Sequence, residues 1–245
     1  MTLERQTAVG LTLAAAVLAA WAALHVWAVF FLRLEGAGWV IAPLLIAFLT
    51  WLSVGLFIIA HDAMHRSLAP TRPGLNKAFG TATLLIYAGF AFGKLLPKHH
   101  QHHRAPGSAD DPDFDAENPG KFWPWYLRFF RAYFGWREFA WVATVSAVYI
   151  LLLRAPLANV WLFWAAPALL SSLQLFTFGT WLPHRHGPEL GDDFPDHHNA
   201  RSNGMPRWLS LLTCFHFGGF HHEHHLHPQL PWWRLPEARA QEVST

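Results

Sequence analysis

Seventeen of the 245 residues are histidine, and most of them stand in sets. The first set is His61-Asp62-Ala-Met-His65; a spacing of four puts both rings on one face of a helix, one turn apart. The second is His99-His100-Gln-His102-His103 and the third is His221-His222-Glu223-His224-His225. Each contains H-x-x-H-H, and positions i, i+3 and i+4 share a helical face, so each offers three nitrogens to one point. His184, in Trp181-Leu-Pro-His184-Arg185-His186, adds one more. An affinity tag would be a plain run, without Glu223 inside it and Leu226-His227-Pro228 after it. Neutral imidazole suits zinc, copper, iron and nickel, so the ion has to be argued from ligand number. His61, His65, His99, His102, His103, His184, His221, His224 and His225 are too many for one tetrahedral zinc site. They suffice for two ions with four or five nitrogens each. The sets therefore predict a dinuclear metal centre.

The elements that carry these sets are apolar. Only 14% of residues are charged and 53% are hydrophobic, with 14 Trp and 20 Phe. Soluble domains carry roughly 25% charged residues, so the chain is read as lying in a bilayer. The net charge of +2 calls for no nucleic-acid partner. A single cysteine, Cys214, leaves no internal disulfide and no CxxC pair.

A spanning helix needs about 20 predominantly apolar residues. Thr7–Leu32, Gly38–Ala60, Glu138–Leu153 and Ala158–Leu182 are the expected crossings, the third being short. The first is too long for the core of a cleaved signal peptide and is read as a retained helix. Leu75–Pro97, glycine-rich and opened by Asn76 and Lys77, is expected to be re-entrant. Lys121–Trp136 mixes aromatic residues with Lys121, Arg128 and Arg131, as an interfacial helix does. The acidic stretch Asp110–Asp115 before it reads as a solvated loop. Of the 18 Lys and Arg, only Arg33 and Arg154 then fall on one side. By the positive-inside rule the other side, with both termini and every histidine set, is cytoplasmic. The sequence thus predicts one all-α, integral membrane domain over residues 1–245. It has about four transmembrane helices, re-entrant and interfacial helices, and a histidine-rich cytoplasmic face.

The order H-x-x-x-H, H-x-x-H-H, H-x-x-H-H resembles the membrane-bound non-haem di-iron family of fatty acid desaturases, alkane hydroxylases and carotenoid hydroxylases. Longer strings resemble its bacterial β-carotene ketolase branch. They are His61-Asp-Ala-Met-His-Arg-Ser67, Trp181-Leu-Pro-His-Arg185, His198-Asn-Ala-Arg-Ser202, His221–Pro228 and Pro231-Trp-Trp-Arg-Leu-Pro236. The resemblance runs from the first crossing to Pro236. It implies an O2-dependent 4-ketolase that turns the C4 methylene of a β-ionone ring into a ketone, taking β-carotene to echinenone and canthaxanthin. It also implies two iron ions on the nine histidines, and redox work that zinc could not do. An electron donor such as ferredoxin would meet the basic face, and the carotenoid would arrive from the lipid of a bacterial inner membrane.

Around the nine, His198 is a further ligand or a partner of one, as are His100 and His222, which fall outside the H-x-x-H-H spacing. Asn199 is a candidate to hold a water near the metal. Asp62 and Glu223, inside the sets, and Asp110, Asp111 and Asp113, after the second, are candidates to orient imidazoles through the distal N–H. For each, an ion pair with a nearby Arg is the alternative. Trp123, Trp125, Phe129 and Phe130 are expected at the substrate entrance, unless their helix is a simple anchor. His186, His197, His216 and His227 read as surface or packing residues, and His25 as remote from the metals. A carotenoid or lipid hydroxylase, a desaturase and, more distantly, a membrane metal transporter are the rival functions.

Overall fold

The structure, a computed structural model, describes residues 1–186 and 194–242. Helix α1 (Leu3–Phe31) and α2 (Ala37–Met64) form an antiparallel pair. Helices α3 (Pro73–Ala88) and α4 (Phe92–Arg104) follow, bent by 101° at their joint. The interfacial α5 (Phe122–Tyr133) precedes α6 (Trp136–Ala147, prolonged by a wide turn, Val148–Leu152). Then come α7 (Leu157–His184), α8 (Arg207–Cys214), α9 (His221–Leu226) and α10 (Leu235–Glu242). No strand occurs among the described residues.

Among the described residues three helices, α1, α2 and α7, are long and apolar enough to cross a membrane, and the bent α3–α4 pair is a fourth candidate for a broken span or a re-entrant loop. The segment expected to cross at 138–153 is indeed helical. At 12 residues plus a 5-residue wide turn, however, it spans only about 26 Å, against about 30 Å of hydrocarbon. Large apolar side chains such as Trp39, Val40, Leu44, Leu152 and Trp161 face outward, which is the stable arrangement only where the surroundings are lipid.

Buried polar residues join the helices. The wide last turn of α1 frees backbone carbonyls, and the Asn159 amide donates to Ala28 (2.9 Å) and Leu32 (2.8 Å) from α7. Asn76, buried at the start of α3, accepts from the Ala69 N–H and donates to the Ala63 carbonyl. That ties the turn after α2 to the end that carries His61 and His65. The α3–α4 bend depends on Gly89, at φ +73, where a Cβ would lie 2.5 Å from the Trp141 ring. With α3 turned back at this point, α4 aims its histidines at the C-terminal end of α2.

Candidate metal centre

Four chain segments end at one place. Helix α2 brings His61 and His65, α4 brings His99, His102 and His103, and α7 ends on His184. Helix α9 brings His221, His224 and His225, after a tight turn in which Phe215 (φ +46) and His216 (φ +73) are left-handed. The imidazoles sort into two groups, within each of which the ligand-capable atoms lie within 4.8 Å of one another. One is His61, His65, His99, His103 and His224; the other is His102, His184, His221 and His225. The groups adjoin, since the ring of His103 lies 4.4 Å from that of His225. All nine histidines expected from the sequence are therefore together, divided five and four.

The nitrogens that converge are Nε2. They lie 2.6 Å apart in His65–His99, 3.0 Å in His103–His224, 2.9 Å in His184–His221 and 3.0 Å in His221–His225. Two nitrogens bound to one ion at about 2.1 Å and at right angles would stand about 3 Å apart. Burial and the neighbouring imidazoles push His65 down to about 3 and His221, His224 and His225 well below the usual histidine range. These rings are therefore neutral, the form in which imidazole binds metal. Nδ1 of His61, His224 and His225 is buried without a hydrogen-bond partner. So many inward lone pairs, with so few protons to share, suit a set of metal ligands better than a packed core.

The distal nitrogens that do have partners are informative. His102 donates from Nδ1 to both oxygens of Asp111, 3.0 Å each. Burial works against the Asp111 charge, but that contact and the N–H groups of Asp113 and Gly107 hold the carboxyl below its ordinary range. His184 donates from Nδ1 to the Asn199 carbonyl (2.7 Å). That backbone contact had no residue-type signal. The acidic stretch is thus not a solvated loop: Asp111, Phe114 and Asp115 are buried, because the loop folds under α5 and against α4.

Other expectations are placed differently. Asp62 lies 3.9 Å from His61 Nδ1, beyond hydrogen-bond range, and accepts instead from the Trp232 N–H. Glu223 pairs with Arg239 and accepts from Ser202, touching no imidazole of the groups. Neither orients a histidine: the Asp62 carboxylate is taken by the Trp232 N–H, and that of Glu223 by Arg239 and Ser202. The Asn199 side chain donates to the Pro106 carbonyl and is not positioned to hold water at the centre. His100 faces the Met64 carbonyl, and His198 and His222 both donate to Asp196, at 2.9 and 3.0 Å. Burial works against the Asp196 charge, but the His198 backbone N–H and these two imidazoles hold it down at about 2. Asp196, with His197 and His198, is a group the sequence reading did not single out. The carboxylate of Asp110 makes no contact with the imidazoles; its carbonyl accepts from Gln101. His25 is far off, stacked on Trp21 and bonded to Tyr149.

An aromatic cavity of about 130 Å³ adjoins the imidazoles. Phe57, Tyr87, Phe90, Phe129, Phe130 and Phe134 line it, and His61, His99, His102 and His224 close its inner end. Of the four residues expected at the entrance, Phe129 and Phe130 belong to this lining. Trp125 is wholly buried behind it, its indole donating to the Asp113 carbonyl (2.6 Å), and Trp123 points outward, 62% exposed.

Comparison with known proteins places relatives beside this geometry. The family model described as fatty acid desaturase matches residues 37–144 and 131–244. A β-carotene ketolase of Paracoccus sp. is 53% identical over 96% of the chain and 93% of its own length. A β-carotene ketolase of Haematococcus lacustris is 36% identical over 94% of the chain and 78% of its own length. A zeaxanthin 4-ketolase of Chlamydomonas reinhardtii is 37% identical over 94% of the chain and 53% of its own length.

Proposed function

The chain belongs to the fatty acid desaturase family, and from that premise we propose that it is a carotenoid 4-ketolase working with two iron ions, O2 and an external electron donor. The observation that carries this reading is the position of the two imidazole groups at the inner end of an aromatic cavity. A rigid hydrocarbon end ring needs such a cavity, and an unactivated C–H bond needs such a donor set.

His61, His65, His99, His103 and His224 would hold one iron, and His102, His184, His221 and His225 the other. Iron held there would supply the O2-dependent oxidising chemistry that an unactivated C–H bond requires. The remaining work falls to the chain. Asp111 and the Asn199 carbonyl fix the ring planes of His102 and His184. Phe129, Phe130 and Phe134 keep water from the ring and pack its face. A carotenoid dissolves only in the bilayer, so it would enter sideways, under α5, from the lipid of a bacterial inner membrane. The basic residues on the histidine side suit an acidic, ferredoxin-like carrier, with that side and both termini cytoplasmic.

The test is expression in a β-carotene-accumulating bacterial host, with the extracted pigments resolved by chromatography and mass. Echinenone and canthaxanthin should appear, and should vanish with His102→Ala or His224→Ala. Hydroxylated carotenes alone would make the chain a hydroxylase. Unchanged β-carotene, with iron and a competent donor present, would move the search to lipid acyl chains.

A further inference from the structure

A cavity built for a hydrocarbon has no need of a carboxylate, yet Asp113 lines this one beside His102. Supporting the imidazole does not account for it. Asp111 already takes the His102 Nδ1–H with both oxygens at 3.0 Å, while the nearest oxygen of Asp113, Oδ2, stands 3.9 Å away. The other oxygen, Oδ1, accepts the Tyr133 hydroxyl. Tyr133 is itself fixed, with the Lys98 ammonium 4.5 Å from its ring centre and donating to the Ala132 carbonyl (2.8 Å). Tyr133 lines the same cavity. Among the described residues no hydrogen bond reaches Asp113 Oδ2. A carboxylate held through one oxygen, its other oxygen without a hydrogen bond among the described residues, therefore lines the cavity beside His102.

We propose that Asp113, positioned by Tyr133, is a hydroxyl-binding subsite that retains the alcohol made by the first oxidation and presents the same carbon for the second. This rests on the 4-ketolase reading. In the first step the methylene, O2, two electrons and two protons give a secondary alcohol and water. In the second, the alcohol takes the same inputs and gives a geminal diol and water, and the diol loses water to leave the ketone. Both oxidations draw their electrons from the external donor. An alcohol is more soluble in the interface than the hydrocarbon and leaves unless something holds it; a free acceptor oxygen in an apolar cavity does so. A ring that already carries a hydroxyl beside C4 would meet the same group.

The experiment compares wild type, Asp113→Ala and Tyr133→Phe in the β-carotene host, scoring 4-hydroxy against 4-keto end groups and the iron content of each purified protein. Wild type should yield ketones with little alcohol. Asp113→Ala should raise the hydroxy-to-keto ratio by about tenfold or more, and Tyr133→Phe by less, with iron unchanged. Supplied directly with the 4-hydroxy carotenoid, Asp113→Ala should show a KM about tenfold higher, with the KM for β-carotene within about twofold. An unchanged ratio with both oxidations slowed alike would overturn the subsite. Should Asp113→Ala lose iron, Tyr133→Phe decides: a wild-type ratio there sinks the proposal. Wild type that makes neither alcohol nor ketone would overturn the 4-ketolase reading itself, and the subsite with it.

Discussion

At the scale of single residues, the contrast among the carboxylates is the most informative. Asp62 and Glu223 stand inside the histidine sets, and sequence proximity makes them natural partners for imidazole. In a helix, however, a neighbour one place along is rotated by about 100°, and it reaches whatever packs on the flank instead. Asp62 meets the Trp232 backbone and Glu223 meets Arg239. The partner that reaches His102 comes from a loop nine residues on, where the chain doubles back. The sequence reading included Asp111 among five candidate carboxylates but could not single it out, because supports depend on how a loop returns. Removing one should therefore weaken metal binding without emptying the fold. Asp111→Asn is expected to lower the affinity of the group of four for metal by about 10- to 100-fold, measured with iron by competition with a chelator. Asp110→Asn, whose side chain makes no contact with the groups, should leave it unchanged. Equal affinity in Asp111→Asn and wild type would show that His102 holds its orientation by packing alone.

At the scale of elements, the sequence was clearest where periodicity and length agree. Helices α1, α2 and α7 lie close to their expected bounds, because runs above 20 apolar residues admit few other structures. The face of α5 was only partly read. Phe122, Trp125, Tyr126, Phe129 and Tyr133 recur at helical spacing and mark its inner stripe, yet Trp123, outside that stripe, was expected with them. Packing selects Phe129, Phe130 and Tyr133 for the cavity and leaves Trp123 outside. The bend between α3 and α4 was legible only as a glycine-rich stretch. Its cause is local: Gly89 is left-handed and has no room for a Cβ beside Trp141. Gly89→Ala should accordingly cost roughly 1–3 kcal/mol, seen as a lower Tm in detergent and reduced membrane yield. Pairing it with Trp141→Ala should recover only the steric part, leaving the backbone strain. A wild-type Tm for Gly89→Ala would mean that the bend is set elsewhere, in the packing of Phe92 against Gly80.

At the scale of the whole molecule, the two imidazole groups are where separate helices are fastened. The group of five joins α2, α4 and α9; the group of four joins α4, α7 and α9. Elsewhere α9 has modest support: it is six residues long, and it is tied down through Glu223 to Arg239 and Ser202. The α1–α2 pair, by contrast, has its own apolar contacts, around Trp21, Leu49, Leu52 and Leu56. Metal held by both groups should therefore stabilise the histidine end far more than the opposite end. An ion present at 100 times its Kd adds about 2.7 kcal/mol to the form that binds it. Stripping the metals with a chelator in detergent is expected to lower Tm by roughly 5–10 °C. Backbone hydrogen exchange should then rise in α4, α9 and the end of α7, with α1 and the middle of α2 unaffected. Returning iron should restore protection in all three segments together, because each ion spans more than one helix. Faster exchange spread evenly over the bundle would instead make the metals a general stabiliser of the fold. Unaltered exchange would mean that the nine imidazoles are held by packing alone.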